Sequence, residues 1–313
     1  MQAYFEGKKD LFKGLAIDKL EKEWVKYPVI HLDLSLGKYY EIKLVHSTLN
    51  AVLGFYEAKL GITVAEGTTY GTRLDEIIQT TAAQTGQKVV VLIDEYDAPM
   101  LDSNAKPELQ EQIRSIMRDF FSPLKANEGL LRFVFLTGIT KFSQLSIFSE
   151  LNNIKNYSLD DEFGAICGFT QEEILSTFHE GIHEMAKAND LTTEQTVAKM
   201  KEQYDGYRFT PHCPNIYNPY SVLNALHDKK FSNYWFATGT PTFLLELLIK
   251  NDIEMPQLEG IVATEDQFDS PTDNIGNPIP VLYQSGYLTI KDYDEGIYTL
   301  GYPNEEVRMG LNR

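Results

Sequence analysis

An apolar run that ends directly in two acidic residues constrains this chain more than any other feature of its sequence. Residues 89–93 read Val-Val-Val-Leu-Ile, and Asp94 and Glu95 follow at once. A continuous run rich in β-branched residues is typical of a strand that is buried on both faces of a parallel sheet. Such a strand delivers the carboxylates to its carboxyl edge, where open α/β sheets bind their ligands. The run therefore predicts an α/β fold with an acidic site.

Strands and helices alternate over the first 167 residues. A strand is predicted after Pro28, a second buried strand over Arg132–Leu136, and a further one over residues 154–159. Apolar residues at helical spacing predict helices over residues 42–60, 74–85 and 107–124. Strands separated by helices favour a parallel sheet with right-handed crossovers.

The sequence changes character after residue 167. Thr170 and Glu173 form a capping-box pattern, which predicts a helix from there to about residue 189. More helical patterns follow, including one over residues 242–250, and the chain then reaches two strands around the acidic turn at 292–296. We predict an α/β core at 1–167, a helical lid at 168–250 and a winged-helix-like region at 251–313.

The charge balance limits the classes of partner. Lys and Arg total 28 against 45 Asp and Glu, a formal net charge of −17. This excess of negative charge disfavours a broad nucleic-acid footprint, although a local basic patch remains compatible with it. The sequence has no apolar run of membrane-spanning length, no signal-peptide pattern and only two cysteines, so we expect a cytoplasmic protein without a membrane partner.

The acidic residues after the central strand have distinct predicted roles. Asp94 is placed to hold Mg²⁺ beside nucleotide phosphates, and Glu95 to polarise an attacking water as a general base. Asp97 either contacts the metal through water or caps the turn before Pro99. The alternative is a buried strand that ends in an acidic turn whose residues have no catalytic role.

Hydroxyl groups and a lysine follow the next predicted strand. Thr137 comes directly after Leu136, with Thr140 and Lys141 behind it. In this position a polar side chain can sense the γ-phosphate or orient the attacking water, and Thr137 is the first candidate. The alternative is a strand that runs into an ordinary polar loop.

Seven segments in order give the chain a family resemblance. They are Tyr27–Asp33, Val91–Met100, Leu136–Ser143, Ser146–Ser149, Cys167–Thr170, Tyr204–Phe209 and Ile216–Leu223. Together they resemble the bacterial AAA-ATPase-like family of P-loop NTPases, whose members often carry a restriction-endonuclease-like nuclease domain at the C-terminus. The resemblance implies a core that binds ATP and Mg²⁺ through a Walker B strand, followed by a helical lid and a winged-helix-like region. Arg208, in the sixth segment, then becomes a candidate phosphate contact, with a structural ion pair to Asp205 or to a neighbouring residue as the alternative.

The chain departs from that family in two respects. The pattern G-x-x-x-x-G-K followed by Ser or Thr, the Walker A loop that cradles phosphates, does not occur in the 313 residues. No nuclease domain is recognised either. We therefore expect a fragment or a degenerate relative that is defective in ATP hydrolysis as written, and that couples to a protein partner or a nuclease domain.

Two alternatives come from other functional classes. In the first, the scaffold is a non-catalytic module that binds protein or nucleic acid. In the second, His179, Glu180 and His183 match the H-E-x-x-H pattern of zinc peptidases. Gly181 weakens that helix, and Glu194 and Glu202 are the only third ligands suggested. The histidines are explained more simply as boundary residues of an amphipathic lid helix.

Overall fold

The computed structural model describes residues 1–103, 106–139, 154–237, 244, 248–249, 251–270 and 277–311. The chain divides into two units, Met1–Ile154 and Lys155–Arg313. The division into a core, a lid and a winged-helix-like region at residues 167 and 250 stays a prediction.

Parallel strand pairing organises the first unit. The strands β1 (Val29–Asp33), β2 (Val89–Asp94) and β3 (Leu131–Leu136) form a three-stranded sheet in that order. Both pairings are parallel, and the apolar run of β2 lies in the middle. The structure thus confirms the predicted α/β architecture at the level of a parallel sheet with helices.

Helices connect the strands, because parallel neighbours need a long crossover between them. In unit 1 they are α1 Gln2–Phe5, α2 Ala16–Leu20, α3 Ile42–Leu60, α4 Tyr70–Thr85, α5 Ala98–Leu101, α6 Pro107–Phe121 and α7 Pro123–Ala126, with 3₁₀ helices at Lys9–Phe12 and Glu128–Leu130. α4 begins four residues before the predicted 74, since the Thr69 side chain accepts a hydrogen bond from the Thr72 amide and caps the helix there.

The two faces of the sheet pack against different partners. One face, which includes Ile30, Leu32, Val91 and Ile93, joins the main core with residues of α3, α4 and α6. The other face, centred on Val90 and Leu92 of β2, packs against Phe5 and neighbouring aromatic rings. β2 is therefore apolar at successive positions because both of its faces are buried.

Unit 2 begins as a helical region. Its helices are α8 Gln171–Thr177, α9 His179–Ala188, α10 Thr193–Tyr204, α11 Pro219–Asp228, α12 Tyr234–Ala237, α13 Glu265–Phe268, α14 Ile279–Gln284 and α15 Glu305–Leu311, with 3₁₀ helices at Asp161–Phe163 and Met255–Leu258. Of the helix predicted at 242–250, residues 244, 248 and 249 are described and are helical.

Two small antiparallel sheets complete unit 2. β4 (Phe169–Thr170) pairs with β5 (Ile216–Tyr217), and the last sheet contains β6 (Ile261–Thr264), β7 (Thr289–Asp294) and β8 (Ile297–Gly301) in the order β6-β8-β7. The hairpin between β7 and β8 turns at Glu295 and Gly296, both with positive φ. The predicted acidic turn thus lies where two antiparallel strands meet.

Two of the sequence predictions were wrong. Residues 154–159 do not form a strand. The single helix predicted from Thr170 is two helices, because Phe178 leaves the helical conformation at φ −107° and packs its ring against Phe169. The capping box at Thr170 and Glu173 is present as predicted. In the part of the chain that the structure describes, no helix has the length and apolar character that a membrane span needs.

Leu53 and Phe55 provide a matched test of the core of unit 1. Leu53 of α3 is fully buried, whereas Phe55 is 65% exposed on the same helix. We expect Leu53→Ala to lower the free energy of unfolding by about 2–5 kcal/mol, because it leaves a cavity in the core. Phe55→Ala should change it by less than about 0.5 kcal/mol. Urea titration followed by circular dichroism measures both, and equal effects would contradict this description of the core.

Candidate functional site

The carboxyl ends of the three parallel strands meet at one edge of the sheet. Asp33 of β1 is in register with Asp94 of β2, and Ile93 is in register with Leu136 of β3. The Thr137 amide donates to the Ile93 carbonyl at 2.9 Å, which extends the β2–β3 pairing beyond the strand. Asp33, Asp94 and Thr137 therefore lie side by side along this edge. We call these three residues, together with Glu95 and Asp97, the acidic edge.

A side-chain hydrogen bond links the two central strands at the acidic edge. The Thr137 hydroxyl donates to Oδ1 of Asp94. Asp94 is exposed, so its other oxygen is accessible to a ligand. A carboxylate that is oriented by a neighbouring hydroxyl and open to solvent suits a magnesium ion, which binds through one or two carboxylates and keeps several waters.

The backbone at Glu95 adopts a left-handed conformation directly after the strand. Its φ is +54°, in a region where a residue with a side chain pays roughly 1–3 kcal/mol. The Tyr96 amide donates to the Thr137 carbonyl at 3.0 Å, which holds the turn against β3. The left-handed φ at Glu95 thus ends the extended conformation of β2 directly after Asp94.

The electrostatics of the edge raise the proton affinity of Glu95. Glu95 is half-buried, and this burial raises the pKa of its carboxyl group above the ordinary value. The negative charges of Asp97, Asp94 and Asp33 raise that pKa further, in this order. A carboxylate with a raised pKa is a stronger base, as a general base for water requires.

Asp97 is fully buried behind the edge, before α5. Its backbone carbonyl accepts hydrogen bonds from the amides of Met100 and Leu101, whereas its side chain makes no capping bond to the helix. The capping role suggested from the sequence is therefore carried by the backbone. Contact of the Asp97 carboxylate with a metal stays a prediction.

Gly138 lets the loop after β3 approach the acidic edge closely. A Cβ atom at this position would overlap Oδ1 of Asp97 and lie 2.7 Å from Cε1 of Tyr96. The sequence analysis did not identify Gly138, although a glycine directly after a buried strand and a polar residue is a signal of close backbone approach.

Two further residues of the site were not assigned from the sequence. Asp33 ends a strand in the same way as Asp94, and this similarity was the signal that could have identified it. Tyr56 of α3 binds the backbone of β1 at His31. Its hydroxyl accepts a hydrogen bond from the His31 amide at 2.7 Å and donates one to the His31 carbonyl at 2.9 Å. This side chain fixes β1 two residues before Asp33.

The other predicted site residues do not join the acidic edge in the described structure. Thr140 and Lys141 lie outside the described residues. Arg208 belongs to unit 2, where its guanidinium donates to the backbone carbonyls of Pro211 and Lys291. These contacts are to neutral acceptors and not to Asp205, so the predicted ion pair is absent among described residues. A phosphate contact of Arg208 stays a prediction.

The zinc motif lies on an exposed helix surface. His179 is the first residue of α9, and His183 follows one turn later, both exposed. Across the described ranges no group of three or more His, Cys, Asp or Glu residues has the geometry to hold a metal ion. Neither Glu194 nor Glu202 therefore supplies the third ligand that a zinc peptidase needs.

The same finding bears on the acidic edge. Its carboxylates do not form a complete metal cage by themselves among the described residues. A magnesium ion at Asp94 would therefore take its remaining ligands from water and from phosphate oxygens, as Mg²⁺ does in nucleotide sites.

Comparison with known proteins supports the family resemblance. Residues 1–148 match the model of the AAA-ATPase-like family, described as a predicted AAA-ATPase. A protein of Azotobacter chroococcum mcd 1, described as an uncharacterized protein in the vnfD 5' region, is 31% identical over 312 residues. The match covers 98% of this chain and 58% of that relative, so the chain spans less than two thirds of the relative's length.

Gly138→Ala tests the close approach at the edge. We expect it to lower the free energy of unfolding by about 1–3 kcal/mol, because the added methyl group overlaps Asp97 and Tyr96. Gly129→Ala is the control, since a Cβ atom at Gly129 meets nothing within 4 Å. Urea titration of both variants measures the difference, and equal stability would mean that the edge is not tightly packed.

Glu95→Gln tests the electrostatics of the edge through the pH dependence of stability. The pKa of Glu95 in the folded state lies above the ordinary value of 4.5. The free energy of unfolding therefore falls as the pH rises from that ordinary value to the folded-state pKa, because Glu95 loses its proton less readily in the folded chain. Glutamine avoids this cost. We expect Glu95→Gln to be more stable than the wild type at pH 8 and to lose this advantage near pH 4.

The control for that comparison is Glu66→Gln, which removes an exposed carboxylate from a loop of the same unit. Urea midpoints of both variants are measured at the two pH values. An advantage of Glu95→Gln that is equal at both pH values would show that burial and the neighbouring acids do not act on Glu95.

Proposed function

Since residues 1–148 match the AAA-ATPase-like family, we propose that the acidic edge is the magnesium-binding and water-activating half of an ATP-hydrolysing site. The observation that carries the proposal is the hydrogen-bonded pair of Asp94 and Thr137 at neighbouring strand ends, with Glu95 beside it. Asp94 holds Mg²⁺ through water, Glu95 accepts a proton from the attacking water, and Thr137 orients Asp94 and senses the γ-phosphate.

The roles follow from the different surroundings of the two acids. Asp94 is exposed and accepts a hydrogen bond from the Thr137 hydroxyl, so its carboxylate is oriented and open to a cation. Glu95 is half-buried among other acids, so it holds a proton more strongly. Two adjacent carboxyl groups, one open to solvent and one half-buried, suit a division between metal ligand and base.

The phosphate cradle is the part that the 313 residues do not supply, because they contain no Walker A pattern. The proposal therefore concerns hydrolysis in a protein in which such a loop completes the site. ATP and Mg²⁺ are its cofactors, and we place that activity in the cytoplasm.

The C-terminal part of unit 2 supports a coupling role. Its sheet has the order β6-β8-β7, and α14 precedes the β7–β8 hairpin. We propose that these elements form a winged-helix-like region. The hairpin carries Asp292, Asp294 and Glu295, which disfavour a nucleic-acid backbone as its ligand. We propose that this region transmits nucleotide state to a protein partner or to an attached nuclease domain.

A second candidate is a non-catalytic interaction module on the same scaffold. The absence of the Walker A pattern from the 313 residues favours it. Under this alternative neither a divalent cation nor ATP changes the behaviour of the chain, whereas the leading proposal requires a cation site at Asp94.

Binding of Mn²⁺ separates the two candidates. We expect electron paramagnetic resonance to detect Mn²⁺ bound by the chain and Asp94→Asn to weaken this binding by about 10-fold, because a charged ligand is lost. Asp10→Asn, which neutralises an exposed acid of the same unit, is the control. Equal Mn²⁺ affinity in Asp94→Asn and in the wild type would reject the metal role of Asp94.

Turnover tests the role of Glu95 once a phosphate-loop segment has been joined upstream of residue 1. We expect Glu95→Gln to lower kcat by roughly 10²- to 10⁴-fold, the usual contribution of a general base. Binding of ATP should stay within about twofold of the wild type, because Glu95 acts on water and not on the phosphates. Unchanged kcat in Glu95→Gln, with Glu66→Gln as the reference, would contradict the assignment.

A further inference from the structure

The two outer strands of the parallel sheet in unit 1 differ in what covers their free sides. On the free side of β1, the Tyr56 hydroxyl accepts a hydrogen bond from the His31 amide and donates one to the His31 carbonyl. His31 is the central residue of β1, which runs from Val29 to Asp33. The tyrosine therefore prevents a further strand from pairing along β1, and covering a strand in this way is a known protection against unwanted pairing.

The free side of β3 is open in the part of the chain that the structure describes. The Thr137 amide bonds to β2, and successive residues of a strand alternate in direction, so Val134 and Leu136 direct their amides and carbonyls away from β2. None of these outward groups has a hydrogen bond to a described residue. We call them the open side of β3. Such a row of unpaired backbone groups is a template for another strand.

The side chains of β3 are apolar on both faces of the sheet and only partly covered. Val134 and Leu136 lie against the main core of unit 1, whereas Phe133 and Phe135 lie on the opposite face near Phe5. All four side chains of β3 are partly exposed, whereas the first five residues of β2 are buried. β3 therefore has the composition of an internal strand at the position of an outer strand.

We propose that a second copy of this chain covers the open side of β3, with the two β3 strands antiparallel about a two-fold axis at Phe135. In this register Val134 lies opposite the partner's Leu136, and each donates its amide to the carbonyl of the other. The axis repeats this pair, so every outward group of Val134 and Leu136 is satisfied in both copies.

The two faces of the sheet also match across the axis. Residues that lie directly opposite each other project from the same face of a sheet. Val134 therefore meets the partner's Leu136 on the core side, and the two Phe135 rings meet on the other side. Aromatic pairs and aliphatic β-branched residues are favourable in such cross-strand positions. The pairing thus joins apolar side chains on both faces, as an internal strand requires.

The distribution of charge favours the antiparallel direction. Each chain carries a formal net charge of −17, and the acidic edge lies at the carboxyl ends of the strands. Thr137 lies opposite the partner's Phe133, so the two Thr137 residues are about 13 Å apart along the strands. That separation exceeds the Debye length of about 8 Å at physiological ionic strength. A parallel pair would place the two acidic edges side by side.

A single open side limits the assembly of this sheet to a pair. Because Tyr56 covers β1, the joined sheet ends on both sides in a covered strand. The interface is therefore closed and isologous and does not propagate into a fibre. It joins one strand from each copy, which is small for a protein interface, so we expect a dissociation constant in the micromolar range.

Disulfide cross-linking of the full chain tests the register. With copper–phenanthroline as oxidant, Phe135→Cys should form a covalent dimer, because the two Cα atoms lie about 4.5 Å apart across the axis, within disulfide range. Phe133→Cys is the matched control on the same face, since the two Phe133 residues are about 13 Å apart in this register. Its cross-linking should equal that of the wild type, which has Cys167 and Cys213.

Sedimentation velocity of the full chain measures the pairing itself. Val134→Pro removes an outward amide in both copies and should weaken dimerisation by roughly 30-fold or more. Val134→Ala keeps the amide and should weaken it by no more than about fivefold. Circular dichroism shows whether Val134→Pro is folded, and if it is not, the cross-linking comparison decides.

Two results would overturn the proposal. One is a wild-type chain that stays monomeric at concentrations well above the micromolar range. The other is a Phe135→Cys variant that forms no more covalent dimer than Phe133→Cys. A dimer that a folded Val134→Pro leaves unchanged would equally show that the two copies meet elsewhere.

Discussion

Hydrogen bonding beyond the ends of three parallel strands sets the geometry on which the candidate site depends. The Leu34 amide donates to the Asp94 carbonyl at 3.1 Å, and the Thr137 amide donates to the Ile93 carbonyl at 2.9 Å. These bonds continue the parallel hydrogen-bonding pattern one residue beyond the ends of β1 and β3, so that Asp33, Asp94 and Thr137 are neighbours. Because a shift by one residue turns each side chain to the opposite face, the same register that buries β2 also aligns the polar groups.

This alignment collects several negative charges at one edge of the sheet. The charges of Asp33, Asp94 and Asp97 all raise the pKa of Glu95, and its backbone is held at a φ of +54°. Such features are costly for stability and persist where function requires them. A divalent cation at Asp94 would offset the repulsion, which gives a physical reason for the proposed magnesium role.

Much of the first unit was predictable because its signals are local. The apolar run before Asp94 indicates a strand that is buried on both faces, and the structure has such a strand. The prediction of a parallel sheet with Asp94 and Thr137 at one edge followed from this run. The contribution of Asp33 required the strand order, which a single sequence does not contain. The break at Phe178 was missed because ring packing against Phe169 overrides a continuous helical pattern. The close approach of Gly206 to the Pro303 carbonyl in unit 2 joins residues almost a hundred positions apart, for which the sequence carries no periodic signal.

Anomalous diffraction from crystals of the chain grown with Mn²⁺ tests the central claim most directly. The account predicts an anomalous peak at the acidic edge, about 2 Å from an Asp94 oxygen for direct coordination or about 4 Å away through water. Thr137 should retain its hydrogen bond to the other oxygen of Asp94 in that structure. Crystals with Mn²⁺ bound elsewhere on the chain and no peak beside Asp94 would contradict the account.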